Sequence, residues 1–239
     1  MGYIDIHSHI LPSVDDGAAN IDDSILLLKQ EKENSISSVI CTPHFYPEVE
    51  ELDVHLAKCR TAFNSLKEAI KHENLPEIFL GHEVQYFTGI SKCADLDKLC
   101  IEGTTTLLLE LPFLSPLSEY MLNEVRSIDR DLGITVILAH IERYANDRLF
   151  KKLLKIIENG EARGQINAES ALNTNTLRVV EKLLKRGYVS YIASDAHSPD
   201  IRPVLIKKAY SALKEKYYSQ LVGIKKNTDK LERTIKKGD

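Results

Sequence analysis

Short apolar stretches alternate with longer amphipathic stretches along nearly the whole chain. The short stretches are rich in β-branched residues and have the length of strands, whereas the longer ones repeat apolar residues at helical spacing. We therefore predict strands at residues 3–7, 37–42, 78–83, 105–111, 134–139, 163–167 and 189–194. We predict helices at residues 21–34, 53–73, 117–131, 147–159, 174–186 and 201–217.

This alternation predicts an α/β fold. Parallel neighbours in a sheet need long crossover connections of this kind, and seven strand–helix units favour a parallel sheet that closes into a barrel. Gly133 and Gly187 stand where a predicted helix ends and the next strand begins, which is typical of helix C-termini. The 239 residues contain no repeat and no linker, so we predict a single domain over residues 1–239.

Charge and composition argue against a nucleic-acid-binding protein and against a membrane-inserted one. The net charge is −4, which does not suggest a nucleic-acid-binding protein. The sequence has no long apolar stretch and no signal peptide, so we predict a cytoplasmic protein without stable membrane insertion. The basic segment 225–237 could bind an anionic membrane or an acidic partner, but the interleaved Asp229 and Glu232 favour a solvated terminal helix.

Two pairs of polar residues close the first and the last predicted strands. His7 and His9 end the first, and Asp195 and His197 follow the last. Residues i and i+2 of a strand point to the same face, so each pair can aim two ligands at one point. A single strand-end histidine is most often hydrogen-bonded in the core, but two such pairs favour a metal site.

Further ligand-type residues lie at or just beyond the C-terminal ends of other predicted strands, namely His44, Glu83, Glu110 and His140. Six of the seven predicted strands thus carry such a residue at the C-terminal end, where α/β barrels have their active sites. A buried strand-end carboxylate such as Glu110 could instead cap a neighbouring loop, although its apolar surroundings would make an unpaired charge costly. The pattern predicts a metal-dependent enzyme.

The remaining histidines have other predicted roles. His55 and His72 lie on the predicted helix 53–73 among charged residues, and we expect both to be solvated. His82 precedes Glu83 on a strand and therefore points to the opposite face, which predicts a packing role.

At these positions the sequence resembles the polymerase-and-histidinol-phosphatase (PHP) superfamily. Within it, the sequence is similar to the bacterial manganese-dependent protein-tyrosine phosphatases of capsule and exopolysaccharide operons. The similar segments run from residue 3 to about 203: DIHSHILP (5–12), VDDGA (14–18), TPH (42–44), GHE (81–83), ELP (110–112), AHIERY (139–144), QINA (165–168) and SDAH (194–197). The sequence departs from the family at Ile141, commonly a proline, and at residues 170–176, which lack the usual glycines.

The resemblance implies a distorted seven-stranded (β/α)7 TIM-like barrel, the PHP fold, with a cluster of three metal ions. It implies one site made by His7, His9, Glu83 and Asp195, a second by Glu83, Glu110 and His140, and a third by Asp16, His44 and His197. The residues alone would leave Asp16 as part of an Asp-Asp-Gly turn. The resemblance also implies that Arg143 and Arg202 bind phosphate. The expected substrate is phosphotyrosine on the tyrosine-rich tail of a bacterial tyrosine autokinase that regulates capsule or exopolysaccharide synthesis.

The residue types fit this chemistry. Imidazoles and carboxylates without thiolates suit Mn²⁺ best, with Fe²⁺, Zn²⁺ or Mg²⁺ as alternatives, and metal clusters activate water and neutralise phosphoryl oxygens. A cysteine mechanism needs Cys-x5-Arg, but the residues six after the four cysteines are Pro47, Ser65, Leu99 and Thr106. Neither a Gly-x-Ser-x-Gly elbow nor a Walker loop is present.

Two other functions remain open at this point. The same metal core could hydrolyse a small phosphomonoester such as histidinol phosphate, with only the rim of the pocket differing. A non-catalytic metal-binding regulatory module is the second alternative, but such a module would be expected to have lost ligands, and all nine are present here.

Overall fold

The computed structural model describes residues 3–112 and 114–238. Within them the strands are β1 (Tyr3–Ser8), β2 (Ile36–Cys41), β3 (His44–Phe45), β4 (Glu77–Leu80), β5 (Glu83–Gln85), β6 (Thr106–Glu110), β7 (Thr135–Leu138), β8 (Arg163–Asn167) and β9 (Tyr191–Ala193). The α-helices are α1 (Ile21–Glu33), α2 (Leu52–Ala69), α3 (Glu119–Leu132), α4 (Phe150–Glu158), α5 (Leu177–Lys185) and α6 (Ile206–Gly238). The predicted parallel α/β class is confirmed.

All the paired strands run parallel, but they form two sheets. One has the order β1-β2-β4 and the other β3-β5-β6-β7-β8-β9. The end of β1 lies beside the segment that follows β9, where the Asp195 amide donates to the His7 carbonyl at 2.9 Å and the His9 amide donates to the Ala196 carbonyl at 2.8 Å. The sheets therefore curl so that the first and last strands meet.

Two strand regions resume after a short gap, just beyond the predicted strand 37–42 and at the end of the predicted strand 78–83. The chain leaves β2 at Cys41 and enters β3 at His44, and it leaves β4 at Leu80 and enters β5 at Glu83. Pro43 lies in the first gap, where it has no N–H to continue a ladder. The seven strand regions predicted from the sequence are thus present, but as nine strands in the described residues rather than as one ring of seven.

The core has two parts. The larger packs the helices against the outside of the sheets. The smaller joins side chains from β1, β2, β4, β6, β7 and β9 to Leu231 and Ile235 of α6. Because these strands belong to both sheets, this smaller cluster lies inside the curve, and α6 covers one end of it.

The C-terminal helix is longer than predicted and less solvated. It runs from Ile206 to Gly238, with non-helical dihedral angles at Tyr217 (φ −127°, ψ 29°) where two helical segments meet. Leu221, Ile224, Leu231 and Ile235 are buried, so the basic segment has one packed face and one charged face. No helix in residues 3–112 and 114–238 is long and apolar enough to cross a membrane.

Candidate metal centre

The nine predicted ligands come together where the parallel strands end. Seven of them are at most 4% exposed, namely His7, His9, Glu83, Glu110, His140, Asp195 and His197. The His44 side chain is 12% exposed and that of Asp16 is 68% exposed, so the centre opens toward Asp16.

Four of the ligands converge beneath this opening. The Nε2 atoms of His7 and His9 lie 3.2 Å apart. Glu83 Oε2 lies 3.2 Å from the first and 3.3 Å from the second, and Asp195 Oδ1 lies 3.4 Å from each. These donor atoms face one another closely enough to share one cation.

The second oxygen of Glu83 faces another set of donors. Glu83 Oε1 lies 3.0 Å from His140 Nε2, which lies 3.2 Å from Glu110 Oε1. Since the two oxygens of Glu83 face different groups, this side chain can bridge two ions.

A third set surrounds the Asp16 carboxylate. Asp16 Oδ1 lies 3.5 Å from His44 Nε2 and 3.4 Å from His197 Nε2. The His9 ring lies between them, with centroid distances of 4.4 Å to His44 and 3.9 Å to His197. The Asp-Asp-Gly turn, which the residues alone would assign only a turn role, thus places the Asp16 carboxylate next to the imidazoles of His44 and His197.

The buried polar atoms fit metal ions better than they fit one another. Within the described residues, Glu83 Oε2 and His197 Nε2 are buried without a hydrogen-bond partner. His44 Nδ1 lies 2.9 Å from Glu83 Oε2, but without the geometry of a hydrogen bond. Leaving such groups unsatisfied costs about 1–3 kcal/mol each, and cations bound at these atoms would remove that cost.

The pKa shifts of His9, His140 and Glu83 show that negative charge surrounds the imidazoles of this centre. Burial alone would lower the pKa of His9, but the Asp15 carboxylate beside it raises that pKa well above the usual value. Burial likewise opposes protonation of His140, yet Glu110 and Glu83 raise its pKa to about 9. Burial would raise the pKa of Glu83, but His7 and the neighbouring imidazoles hold it well below its usual range. The negative charge that stabilises these protons would also bind metal ions.

Several ligands are oriented by a second layer of polar contacts. Asp15 Oδ2 lies 2.7 Å from His9 Nδ1, and Gln165 Oε1 lies 3.3 Å from His7 Nδ1. The other ring nitrogen of each imidazole faces the centre, which is the usual arrangement at metal-binding histidines. The residue-based prediction missed Asp15; the available signal was the pair of adjacent aspartates in the 14–18 segment. In the structure, Gly17 packs so closely against the His9 carbonyl that a side chain there would not fit.

Two ligands have unusual backbone conformations. His140 has φ of 32° and Asp195 has φ of 53°, the left-handed region that few non-glycine residues adopt. The His140 amide donates to Gln165 Oε1 at 2.7 Å, and the Asp195 amide donates to the His7 carbonyl. Such conformations cost about 1–3 kcal/mol and cluster at functional sites.

Arg143 and Arg202 reach the centre through Asp195. Their Nη2 atoms lie 2.9 Å and 2.6 Å from Asp195 Oδ2, and Asn167 Nδ2 donates to the same oxygen at 2.6 Å. Both arginine side chains are about one-third exposed, at 35% and 33%. They therefore stand at the boundary between the buried ligands and solvent.

A cavity of about 720 Å³ adjoins the exposed side of the centre. The Tyr46 ring stacks on that of His44 at a centroid distance of 5.0 Å, and the apolar Val49 and Val54 are 82% and 58% exposed. Its other lining residues are mostly charged: Val14, Asp15, Asp16, Glu50, Glu51 and Lys58.

The prediction that His55 is solvated is wrong. Its ring is fully buried, as is Cys59 one turn later, because the apolar face of α2 packs on the sheet. His55 Nε2 lies 2.9 Å from His82 Nδ1, and His82 is buried as predicted. His72 is exposed, also as predicted.

Comparisons with known proteins give a consistent result. The family model described as "Capsular polysaccharide synthesis, CpsB/CapC" matches residues 3–230. The CapC protein of Staphylococcus aureus is 32% identical over 234 residues, covering 94% of this chain and 89% of the relative. The tyrosine-protein phosphatase YwqE of Bacillus subtilis is 30% identical over 233 residues, covering 91% and 86%.

Solved structures agree. One from a study of Bacillus subtilis YwqE and Streptococcus pneumoniae CpsB, described as metal-dependent tyrosine phosphatases, has a TM-score of 0.82 and 26% identity, covering 98% of this chain and 94% of the other. The histidinol phosphate phosphatase of Lactococcus lactis has a TM-score of 0.56 and 15% identity, covering 90% and 93%. The latter likeness concerns the fold alone.

Proposed function

The chain belongs to the CpsB/CapC family of capsular polysaccharide synthesis proteins, and we propose that it is a metal-dependent protein-tyrosine phosphatase. The single observation that carries the proposal is the convergence of nine imidazole and carboxylate side chains at one open face of the fold. Within the described residues, no cysteine lies among them. The reaction is hydrolysis of a phosphate monoester, which releases tyrosine and inorganic phosphate.

We propose three metal positions with the ligand sets given by the resemblance to the PHP superfamily. His7, His9 and Asp195 would hold one ion, Glu83 would link it to a second, and Asp16 would help hold a third. The remaining ligands are His44, Glu110, His140 and His197. The predominance of oxygen and imidazole donors favours Mn²⁺, and Fe²⁺, Zn²⁺ and Mg²⁺ are possible occupants. Such ions supply a water of lowered pKa and positive charge for the phosphoryl oxygens.

The protein contributes position and charge. Asp15 holds His9 in the orientation that turns Nε2 toward the centre, as its 2.7 Å contact with Nδ1 indicates. Arg143 and Arg202 stand beside Asp195 with partly exposed guanidinium groups, from which they can pair with two oxygens of a bound phosphate. The positive charge of the two guanidinium groups would stabilise the negative charge that develops on the phosphate oxygens in the transition state of hydrolysis.

The adjoining cavity suits an aryl phosphate on a protein segment. Tyr46 presents an aromatic ring next to His44, and the exposed Val49 and Val54 supply apolar surface for a tyrosine ring. Aromatic and apolar contacts of this kind favour a phenyl ring over a small polar alcohol. The opening at Asp16 allows a chain segment, rather than only a free metabolite, to reach the centre.

We further propose the biological setting that the family suggests. The substrate would be the phosphorylated tyrosine-rich tail of a bacterial tyrosine kinase that regulates capsule or exopolysaccharide synthesis, and the compartment would be the cytoplasm.

The whole chain would form one domain, with the two sheets making a distorted (β/α)7 barrel of the PHP type. The contacts of His7 and His9 with residues 195–196 are the junction at which such a barrel would close.

A comparison of substrates tests this proposal. Metal-free protein loaded with Mn²⁺, Fe²⁺, Zn²⁺ or Mg²⁺ would be assayed on phosphotyrosine peptides, phosphoserine peptides and histidinol phosphate. We expect kcat/KM to be highest for phosphotyrosine peptides. A higher kcat/KM for histidinol phosphate would replace the proposal by the small-molecule phosphatase, and no turnover of any of them by a fully metal-loaded protein would favour a non-catalytic module.

A further inference from the structure

A second cluster of potential metal ligands lies behind the candidate centre, between α2 and the strands that carry Glu83. It consists of His55 and Cys59 on α2 and His82 between β4 and β5, all buried. His55 Nε2 lies 2.9 Å from His82 Nδ1 and 3.5 Å from Cys59 Sγ. One nitrogen from each histidine and the sulfur all lie within 4.8 Å of one another.

The helix geometry explains why these groups meet. His55 and Cys59 are four residues apart, so they lie on the same face of α2, one turn from each other. His82 precedes Glu83 and points away from the candidate centre, toward that face of the helix. The sequence signal was the His-x3-Cys spacing of residues 55–59.

A carboxylate orients the central imidazole. Glu50 Oε2 lies 3.1 Å from His55 Nδ1, and Lys58 Nζ lies 2.9 Å from the same carboxyl group. With the His55 proton held on Nδ1 by this contact, the Nε2 lone pair faces Cys59 and His82. A carboxylate behind a histidine in this way is the usual outer contact of a metal-binding imidazole.

We propose that His55, Cys59 and His82 bind one zinc ion, separate from the ions of the candidate catalytic centre. Two imidazoles and one thiolate are a donor set that suits zinc, with the fourth position open to water. Zinc lies about 2.0–2.1 Å from nitrogen and about 2.3 Å from sulfur. Donor atoms around such an ion stand roughly 3.3–3.6 Å apart. The two imidazole nitrogens, at 2.9 Å, would therefore separate by about 0.4 Å. Cys59 Sγ already lies 3.5 Å from His55 Nε2, and its distance to the His82 nitrogen, which is within 4.8 Å, would have to be about 3.6 Å.

The protons balance for this step. Burial raises the pKa of Cys59 to about 12, so the thiol is protonated without metal and loses its proton as the zinc–sulfur bond forms. The hydrogen-bonded proton between the two imidazoles moves from Nδ1 to Nε2 of His82. Binding therefore releases one proton per ion, and a surface cavity that His82 lines gives a path of entry.

The position suggests what the ion does. It would tie the first turns of α2 to the link between β4 and β5, next to the proposed bridging ligand Glu83. Because the ion binds only the folded arrangement, it would stabilise the protein. The inference does not depend on phosphatase activity, since it concerns residues on the other side of the strand.

Cobalt substitution tests the proposal directly. The nine ligands of the candidate catalytic centre are nitrogen and oxygen donors, so a thiolate-to-cobalt charge-transfer band in the near ultraviolet reports the new site. We expect this band in wild-type protein saturated with Co²⁺ and its loss in Cys59→Ser, which keeps the size of the side chain. Cobalt content should fall by about one ion per chain in that variant.

Matched variants separate the two sites. Cys93→Ser alters a cysteine outside the cluster and should keep the band, and so should Glu110→Ala, which alters only the candidate catalytic centre. At a hundredfold excess of free Co²⁺ over its dissociation constant, the melting temperature of wild type should rise by about 5–10 °C more than that of Cys59→Ser. Absence of the band in saturated wild-type protein, or its persistence in Cys59→Ser, would overturn the proposal.

Discussion

Replacing Asp15 by asparagine should weaken metal binding although Asp15 is not among the proposed ligands. Its two carboxylate oxygens accept from three donors. Oδ2 faces His9 Nδ1 at 2.7 Å and accepts from the His44 amide at 3.0 Å, and Oδ1 accepts from the Gly17 amide at 3.0 Å. An amide has only one acceptor oxygen, so the asparagine NH2 group must face either the Gly17 amide or both His9 and the His44 amide.

The size of the effect follows from this contact. A hydrogen bond to a charged group contributes about 1.5–3 kcal/mol, which corresponds to roughly a ten- to hundredfold change in an equilibrium constant. Loss of an outer carboxylate at metal-binding histidines typically costs a similar factor of about 10–100 in affinity or activity. We therefore expect the apparent dissociation constant for Mn²⁺ to rise ten- to hundredfold in Asp15→Asn.

The assay is a titration of metal-free protein with Mn²⁺, followed by both calorimetry and phosphatase activity. Asp22→Asn is the matched control, because Asp22 lies in the first turn of α1 and is exposed, so its loss changes the net charge equally without affecting an imidazole. An Asp15→Asn variant that binds Mn²⁺ as tightly as Asp22→Asn would refute the orienting role.

Four other outcomes are expected. Exhaustive chelation should abolish turnover, whereas Cys41→Ser should keep it, as kinetics before and after Mn²⁺ readdition can establish. Glu83→Ala should lose nearly all turnover together with bound metal, measured by elemental analysis; retention of three ions at normal rate would contradict the bridging role. Arg143→Ala and Arg202→Ala should lower kcat/KM by about ten- to hundredfold with metal content unchanged, and lost metal would make the arginines structural. Because the pKa of metal-free His140 is raised to about 9 and a ligand must be unprotonated, metal affinity should fall at least about tenfold per pH unit below 9, and a flat calorimetric profile from pH 6 to 8 would contradict this.

The strand pattern accounts for most of the candidate centre. In parallel strands every C-terminal end lies at the same edge, so residues at or just beyond the ends of separate predicted strands, such as His44, Glu110 and His140, had to approach one another. The positions of these residues along the chain were enough to predict the cluster, because the parallel sheet itself brings the strand ends together. The sequence could not show which oxygen of Glu83 faces which group, since that depends on side-chain dihedral angles.

Other features depend on packing that no local pattern reveals. The charged neighbours of His55 suggested a solvated helix face, but α2 turns His55 and Cys59 inward against the sheet. The terminal helix has few apolar residues, yet they fall at the spacing that places Leu231 and Ile235 in the inner core. In both helices a few apolar residues determine which face is buried, so the mostly charged composition wrongly predicted solvated faces.

Asp195 connects the proposed metal ligands to the proposed phosphate contacts. Its Oδ1 faces His7 and His9 at 3.4 Å, while its Oδ2 accepts from Arg143 and Arg202. The backbone of Asp195 is also left-handed, with φ of 53°. An ion bound at Oδ1 would leave Oδ2 to hold the guanidinium groups, so ligand geometry also sets where the arginines stand. Groups that share one such contact are not independent, and the free energies lost in their single variants need not add.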